Sequence, residues 1–198
     1  MNVLIICEDF RNDQYILKPI FEAMFTELGK PRAKIVVCKN PLIQGISQAL
    51  NLEKLAEIIE RYQAMTDLFV LCVDRDGEKS RCEKLVFREK QVTEKFENKV
   101  QFIAENAWQE LEVWILAGHN KFEEWRKNKY SWQDIRDEPN PKELYYQPFA
   151  DFCSVRHHLG EGRKRLGEEA AKNYERIRQL CQEDVLNLEN RIKIILSP

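Results

Sequence analysis

The sequence predicts an α/β protein: a doubly wound, mostly parallel sheet flanked by helices, with a C-terminal helical extension. Three observations predict it. Short apolar, β-branched runs recur at "NVLIIC", "AKIVVCK", "LFVLCV" and "KVQFIA", too apolar for a sheet with one wet face. Segments of helical period separate them, as in βαβ units. Acids gather where the runs end, and such sheets bind ligands beyond the carboxyl ends of their strands.

Taken in order, residues 2–7 are the first strand and "EDFRND" is a polar turn. "QYILKPIFEAMFTELG" is a helix, capped by Asn12 or Asp13, ended by Gly29 and open to a kink at Pro19. Residues 33–39 form the second strand. A loop leads to a helix near residues 52–64, with Leu52, Leu55, Ile58 and Ile59 on one face. Residues 67–73 form the third strand, "SRCEKLVFREKQVTEKF" a charged amphipathic helix, and residues 99–104 the fourth strand, which leaves Glu105 at its end. "NAWQELEVWILAG" is apolar almost all round and reads as a buried helix. Pro139 and Pro141 mark a loop. From about Gly167 a helical stripe runs through Ala170, Tyr174, Ile177, Leu180, Leu188, Ile192 and Ile195, as one long helix or two shorter ones. Residues 1–118 are thus an α/β core, and residues 119–198 an aromatic, charged region and helices packed on it, in one structural unit.

With 198 residues, 43% hydrophobic and 32% charged, the chain is long enough for a real core and too apolar for disorder. A net charge of −2 excludes global attraction to nucleic acid or an anionic membrane, so any nucleic-acid contact must be local or metal-assisted. No apolar run has transmembrane length. Met1 leads directly into "NVLII" without a basic leader, and the 6 cysteines form no CxxC pair. The expectation is a cytoplasmic protein with reduced thiols, no membrane association, and homo-oligomerisation left open.

The chemistry-bearing stretch is "LFVLCVDRDG". An extended backbone would place Asp74 and Asp76 on one side, and Gly77 frees the turn. Two adjacent like charges call for a cation, and hard oxygen ligands with room for water suit Mg²⁺ or Mn²⁺. A solvated turn with an Asx cap is the competing reading. Glu8, at the end of the first strand, converges on the same crevice if the first and third strands are neighbours; its competing role is helix-start electrostatics. Glu112 has Trp108, Ile115 and Leu116 as helical neighbours, which puts a carboxylate on an apolar face. Its partner is either the site or a salt-bridging Lys or Arg.

In order, "VLIICEDFRNDQYILKPIFEAMF", "LFVLCVDRDG", "AWQELEVWILAG" and "GEGRKRLGEEAAKNYERIRQLCQ" resemble segments of a family of small stand-alone bacterial proteins with the topoisomerase–primase (Toprim) fold, related to overcoming-lysogenization-defect-type nucleases. The resemblance spans most of the chain. It implies a metal site of Glu8, Asp74 and Asp76, joined by Glu112 as a catalytic group, and a role in bacterial defence with a protein partner. Asp9 stands where many Toprim sequences have glycine. Asp13 lies one residue later than the second acid of nuclease-type members, which leaves it between a metal role and helix capping.

Arg156, Arg163, Lys164 and Arg165 cluster among glycines and are candidate phosphate contacts, or else a solvated helix start. His157 and His158 are candidate general acid–base groups, and His119 a helix-dipole partner. The expected function is divalent-metal-dependent phosphodiester hydrolysis of nucleic acid, a nuclease. The alternatives are a non-catalytic metal- or nucleotide-binding subunit of a larger complex, and a phosphatase or phosphoacceptor domain. Tyr145 and Tyr146, in a loop, offer no convincing topoisomerase nucleophile.

Overall fold

A computed structural model describes residues 1–127 and 129–197. Four parallel strands form one sheet in the order β2-β1-β3-β4: β1 Asn2–Ile6, β2 Lys34–Val37, β3 Leu68–Asp74 and β4 Phe102–Ala107. The chain first winds outward from β1 to β2, then crosses back over β1 to β3. The direction of winding therefore reverses between β1 and β3, and the crevice at such a switch point is where doubly wound sheets place ligands. The register Val3↔Leu68 to Ile6↔Leu71 brings the end of β1 alongside the end of β3.

Strand alternation builds two cores. Val3, Ile5, Val70 and Cys72 face one layer; Leu4, Ile6, Phe69, Leu71 and Val73 face the other. The second layer holds α2 (Ile46–Ala49), α3 (Leu52–Tyr62) and α4 (Arg81–Lys95). The first holds α1 (Phe10–Glu27) and α5 (Glu112–Gly118), and is extended by the C-terminal half: α6 (Asn120–Arg126), α7 (Trp132–Asp137), α8 (Gln147–Phe152), α9 (Arg163–Ala171), α10 (Tyr174–Leu180) and α11 (Asn187–Leu196). The C-terminal stripe is thus three helices, broken at Asn173 and by a π-helical turn at Gln182–Leu186.

Glycines let α9 come in close. A Cβ at Gly167 would collide with the Tyr15 carbonyl of α1, and one at Gly118 with the Ala170 backbone. That approach carries Arg163 into the interior. No helix is long and apolar enough to cross a membrane among the described residues. The six cysteines are free thiols, four of them buried.

Several elements differ from the expectation. α1 starts at Phe10, because Asp9 is the N-cap: its side chain accepts from Arg11 N at 2.9 Å, and neither Asn12 nor Asp13 is the N-cap residue. Pro19 lies inside the helix. β4 begins at Phe102 and runs through Glu105 to Ala107, paired along β3 from Phe69 to Asp74. Glu105 is therefore inside a strand, bound to Asn187 at 2.7 Å and Arg191 at 3.3 Å, and is not a strand-end acid. The helix read from Asn106 onward starts only at Glu112, after Gln109 takes a left-handed conformation (φ 73°). Trp108 is consequently no helical neighbour of Glu112.

A carboxylate cluster at the carboxyl ends of β1 and β3

The cluster is built from the sheet outward. Glu8, two residues beyond β1, turns its Oε1 onto the Asp74 backbone N–H at 2.8 Å. Asp74 is the last residue of β3; its Oδ1 accepts from Leu111 N at 2.8 Å, just before α5. From the first turn of α1, Asp13 accepts from Asp9 N at 2.9 Å. Glu112, the first residue of α5, is 5% exposed and paired with Arg163 through Nε at 2.9 Å and through Nη2. Arg163 also binds Glu161 at 2.8 Å and the Gly160 carbonyl at 3.0 Å.

Burial and mutual repulsion dominate the electrostatics. Burial, then the charges of Glu112, Asp13 and Glu8, push the Asp74 carboxyl well above its ordinary range, against one backbone N–H. Asp13 is pushed up to about 7 by burial, with Glu112, Asp9 and Glu8 adding to it. Glu8 is pushed up to about 6 by burial, with Asp76 adding to it and the Asp74 N–H and Arg81 opposing. Glu110 is pushed up to about 7 by burial and by Glu112. Glu112 bears on Asp74, Asp13 and Glu110, and Glu8 bears on Asp74 and Asp13, so the cluster carries more carboxylate than its cations and N–H groups offset. A divalent cation is the economical remedy.

Asp76 departs from the expected pairing. It has a left-handed backbone (φ 52°), held by Asp76 N to the Gln109 carbonyl at 3.1 Å, and its side chain is half exposed beside Arg81 at 3.6 Å. Its carboxylate lies at the half-exposed rim, where its charge raises Glu8, while Glu112 and Asp13 are the acids that raise Asp74. Among the described residues, no three His, Cys, Asp or Glu side chains stand as a ready-made metal cage. The donor set still fits Mg²⁺ or Mn²⁺, which keep several waters and take one or two carboxylates plus substrate phosphate oxygens.

The expected basic patch is not a free one. Arg163 is 2% exposed and committed to Glu112, so its place is inside, as the anchor of that carboxylate and not as a phosphate contact. Arg156 binds Asp151 at 2.8 Å and Gln147 at 2.9 Å, and Arg165 binds Glu169 at 3.1 Å. Lys164 lines a shallow groove with Tyr15, Lys18 and Glu168. His157 and His158 are exposed, away from buried structure. His119 caps α5 and contacts Glu169 at 2.8 Å. Tyr145 and Tyr146 are buried. Sequence reasoning left Asp13 open and ranked Glu110 as a weaker candidate than Glu112; the signal for Asp13 was its place one turn into a helix capped by Asp9.

No protein-family model matches the chain, and neither a curated protein nor a solved structure is detectably similar to it.

Proposed function

We propose that the protein is a divalent-metal-dependent phosphodiesterase acting on nucleic acid, of the Toprim-like kind that its motifs resemble. The observation that carries the reading is the meeting of Glu8 with Asp74 across adjacent strand ends, with Asp13 and Glu112 close enough to raise the Asp74 carboxyl. Asp74 and Glu8 would hold Mg²⁺ or Mn²⁺, with Asp76 at the rim. Such an ion, when bound, stabilises charge developing on the phosphoryl oxygens. Glu8 would share that ion or, off the metal, take a proton from the attacking water; burial raises its carboxyl to about 6 in the metal-free protein, near the working pH. Glu112 is a positioning group: Arg163 fixes its carboxylate, and its charge tunes Asp74 and Asp13. The role in defence rests on the resemblance alone.

The test is cleavage of labelled single- and double-stranded DNA and RNA with Mg²⁺ or Mn²⁺. The wild type is expected to cut, and Asp74→Asn to cut at least about 100-fold more slowly. Metal binding without cleavage of any substrate would replace the nuclease with a metal-binding subunit.

A further inference from the structure

Arg81 opens α4 and is 6% exposed. Buried arginines elsewhere in this protein close tightly on carboxylates: Arg163 on Glu112, and Arg136 on Asp184 at 3.1 and 3.2 Å. Arg81 does not. The Asp76 carboxylate is 3.6 Å away, beyond hydrogen-bond reach. Its Nη2 meets the Arg75 carbonyl only at 3.5 Å, and its Nε is buried without a partner. A buried guanidinium with unused donors is costly to keep unless something else uses them.

Arg75 lies in the turn that leads into α4, between the two aspartates. Among the described residues no carboxylate pairs with it. Its guanidinium lies 4.0 Å from the centre of the Trp108 ring, and its Nε is also buried and unpartnered. Stacking fixes the plane of a guanidinium and leaves N–H edges for an anion. A tetrahedral phosphate, with more acceptor oxygens than a carboxylate, suits both forks.

We propose that Arg81 and Arg75 form a phosphate clamp, Arg81 beside Asp76 and Glu8 on the scissile phosphate and Arg75, stacked on Trp108, on the neighbouring one. The clamp rests on the nuclease reading above and deepens it: the substrate is a strand with consecutive phosphates, gripped by its backbone and not by its bases.

The test compares bis(p-nitrophenyl) phosphate, which has one phosphate, with a labelled oligonucleotide, both in Mn²⁺ with the full chain. Arg81→Gln is expected to lower kcat about 100-fold on both. Arg75→Ala is expected to raise KM for the oligonucleotide about 10-fold, against less than about 2-fold for the small ester, and to reduce the salt slope by about 1. If Arg81→Gln does not fold, Arg81→Lys is read instead; it keeps the charge and loses the fork, for about a 10-fold fall in kcat. Wild-type kinetics in either variant, or an equal loss on both substrates in Arg75→Ala, overturns the clamp. Should the wild type cleave neither substrate, fluorescence anisotropy of the oligonucleotide with Ca²⁺ decides. Affinity weakened about 10-fold in both variants upholds the clamp while the hydrolytic reading falls; no binding by the wild type overturns both.

Discussion

Asp184 and Asp74 are both buried acids, and their neighbourhoods are opposites. Asp184, in the π-helical turn before α11, accepts from Trp108 N at 2.8 Å, Trp114 Nε1 at 2.7 Å and two nitrogens of Arg136. Asp74 accepts one N–H, from Leu111, and is otherwise surrounded by Glu112, Asp13 and Glu8. Burial therefore does not mark a site here. The balance of donors against carboxylates does: where it closes, the acid is scaffold, and where it stays open, the acid belongs to the candidate site.

Stability measurements should separate the two aspartates by sign. Asp184→Ala strands two N–H donors in the interior and leaves Arg136 only its outer partner Glu183, so unfolding free energy in EDTA should fall by about 3 kcal/mol. Asp74→Asn keeps an acceptor for Leu111 and removes a repelled charge, so in EDTA at pH 8 it should be neutral or stabilising. Urea denaturation reads both, and a large loss in Asp74→Asn would erase the contrast.

Metal should act on one region only. Mg²⁺ or Mn²⁺ at about 100 times its Kd should stabilise the wild type by about 2.7 kcal/mol, and Asp74→Asn far less. A conservative change near Asp184, Glu183→Gln, should leave that gain intact, since Glu183 lies at the outer edge of the Arg136 pair. Calorimetric unfolding with and without metal checks both.

The pH dependence follows from the raised acids. Glu8 at about 6 and Asp13 at about 7 bind protons more tightly folded than unfolded, where carboxyls titrate near 4. Their favourable contribution is complete below about pH 4 and is lost as pH rises through 6 and 7. Metal-free protein should therefore lose stability from this cluster between about pH 4 and 8, and metal should flatten that decline. A metal-free Tm that rises across this window would contradict the electrostatics of the cluster.

The sheet and the meeting of Glu8 with Asp74 were legible because they depend on local pattern: apolar runs, helical spacing and acids at strand ends. The rest depends on partners far along the chain. Glu105 looked like a strand end because the apolar run stops just before it; Asn187 and Arg191, far along the chain, hold its carboxylate inside the strand. Arg163 looked like a surface phosphate contact because Gly167 and Gly118, which let α9 sink against α1 and α5, carry no sign of their purpose. Asp76 was paired with Asp74 on strand geometry, but β3 ends at Asp74 and the next turn rotates Asp76 outward.

Asp13 gives the smallest and most discriminating effect. Its carboxylate accepts the Asp9 N–H, a capping role, and it also raises Asp74, a role in the cluster. Asp13→Asn retains an acceptor for Asp9 while removing the charge. A residue that only caps would then show unchanged metal affinity and a stability loss under about 1 kcal/mol. A cluster member should lose the upper part of the pH dependence, nearest pH 7, and gain slight stability in EDTA at pH 8. It should also bind Mn²⁺ more weakly, because the repulsion a cation relieves has been reduced. Titrating Mn²⁺ into wild type and Asp13→Asn at pH 6 and 8 distinguishes the two: for a cluster member the difference in affinity widens at pH 8, where Asp13 is ionised, and narrows at pH 6, where it is largely protonated.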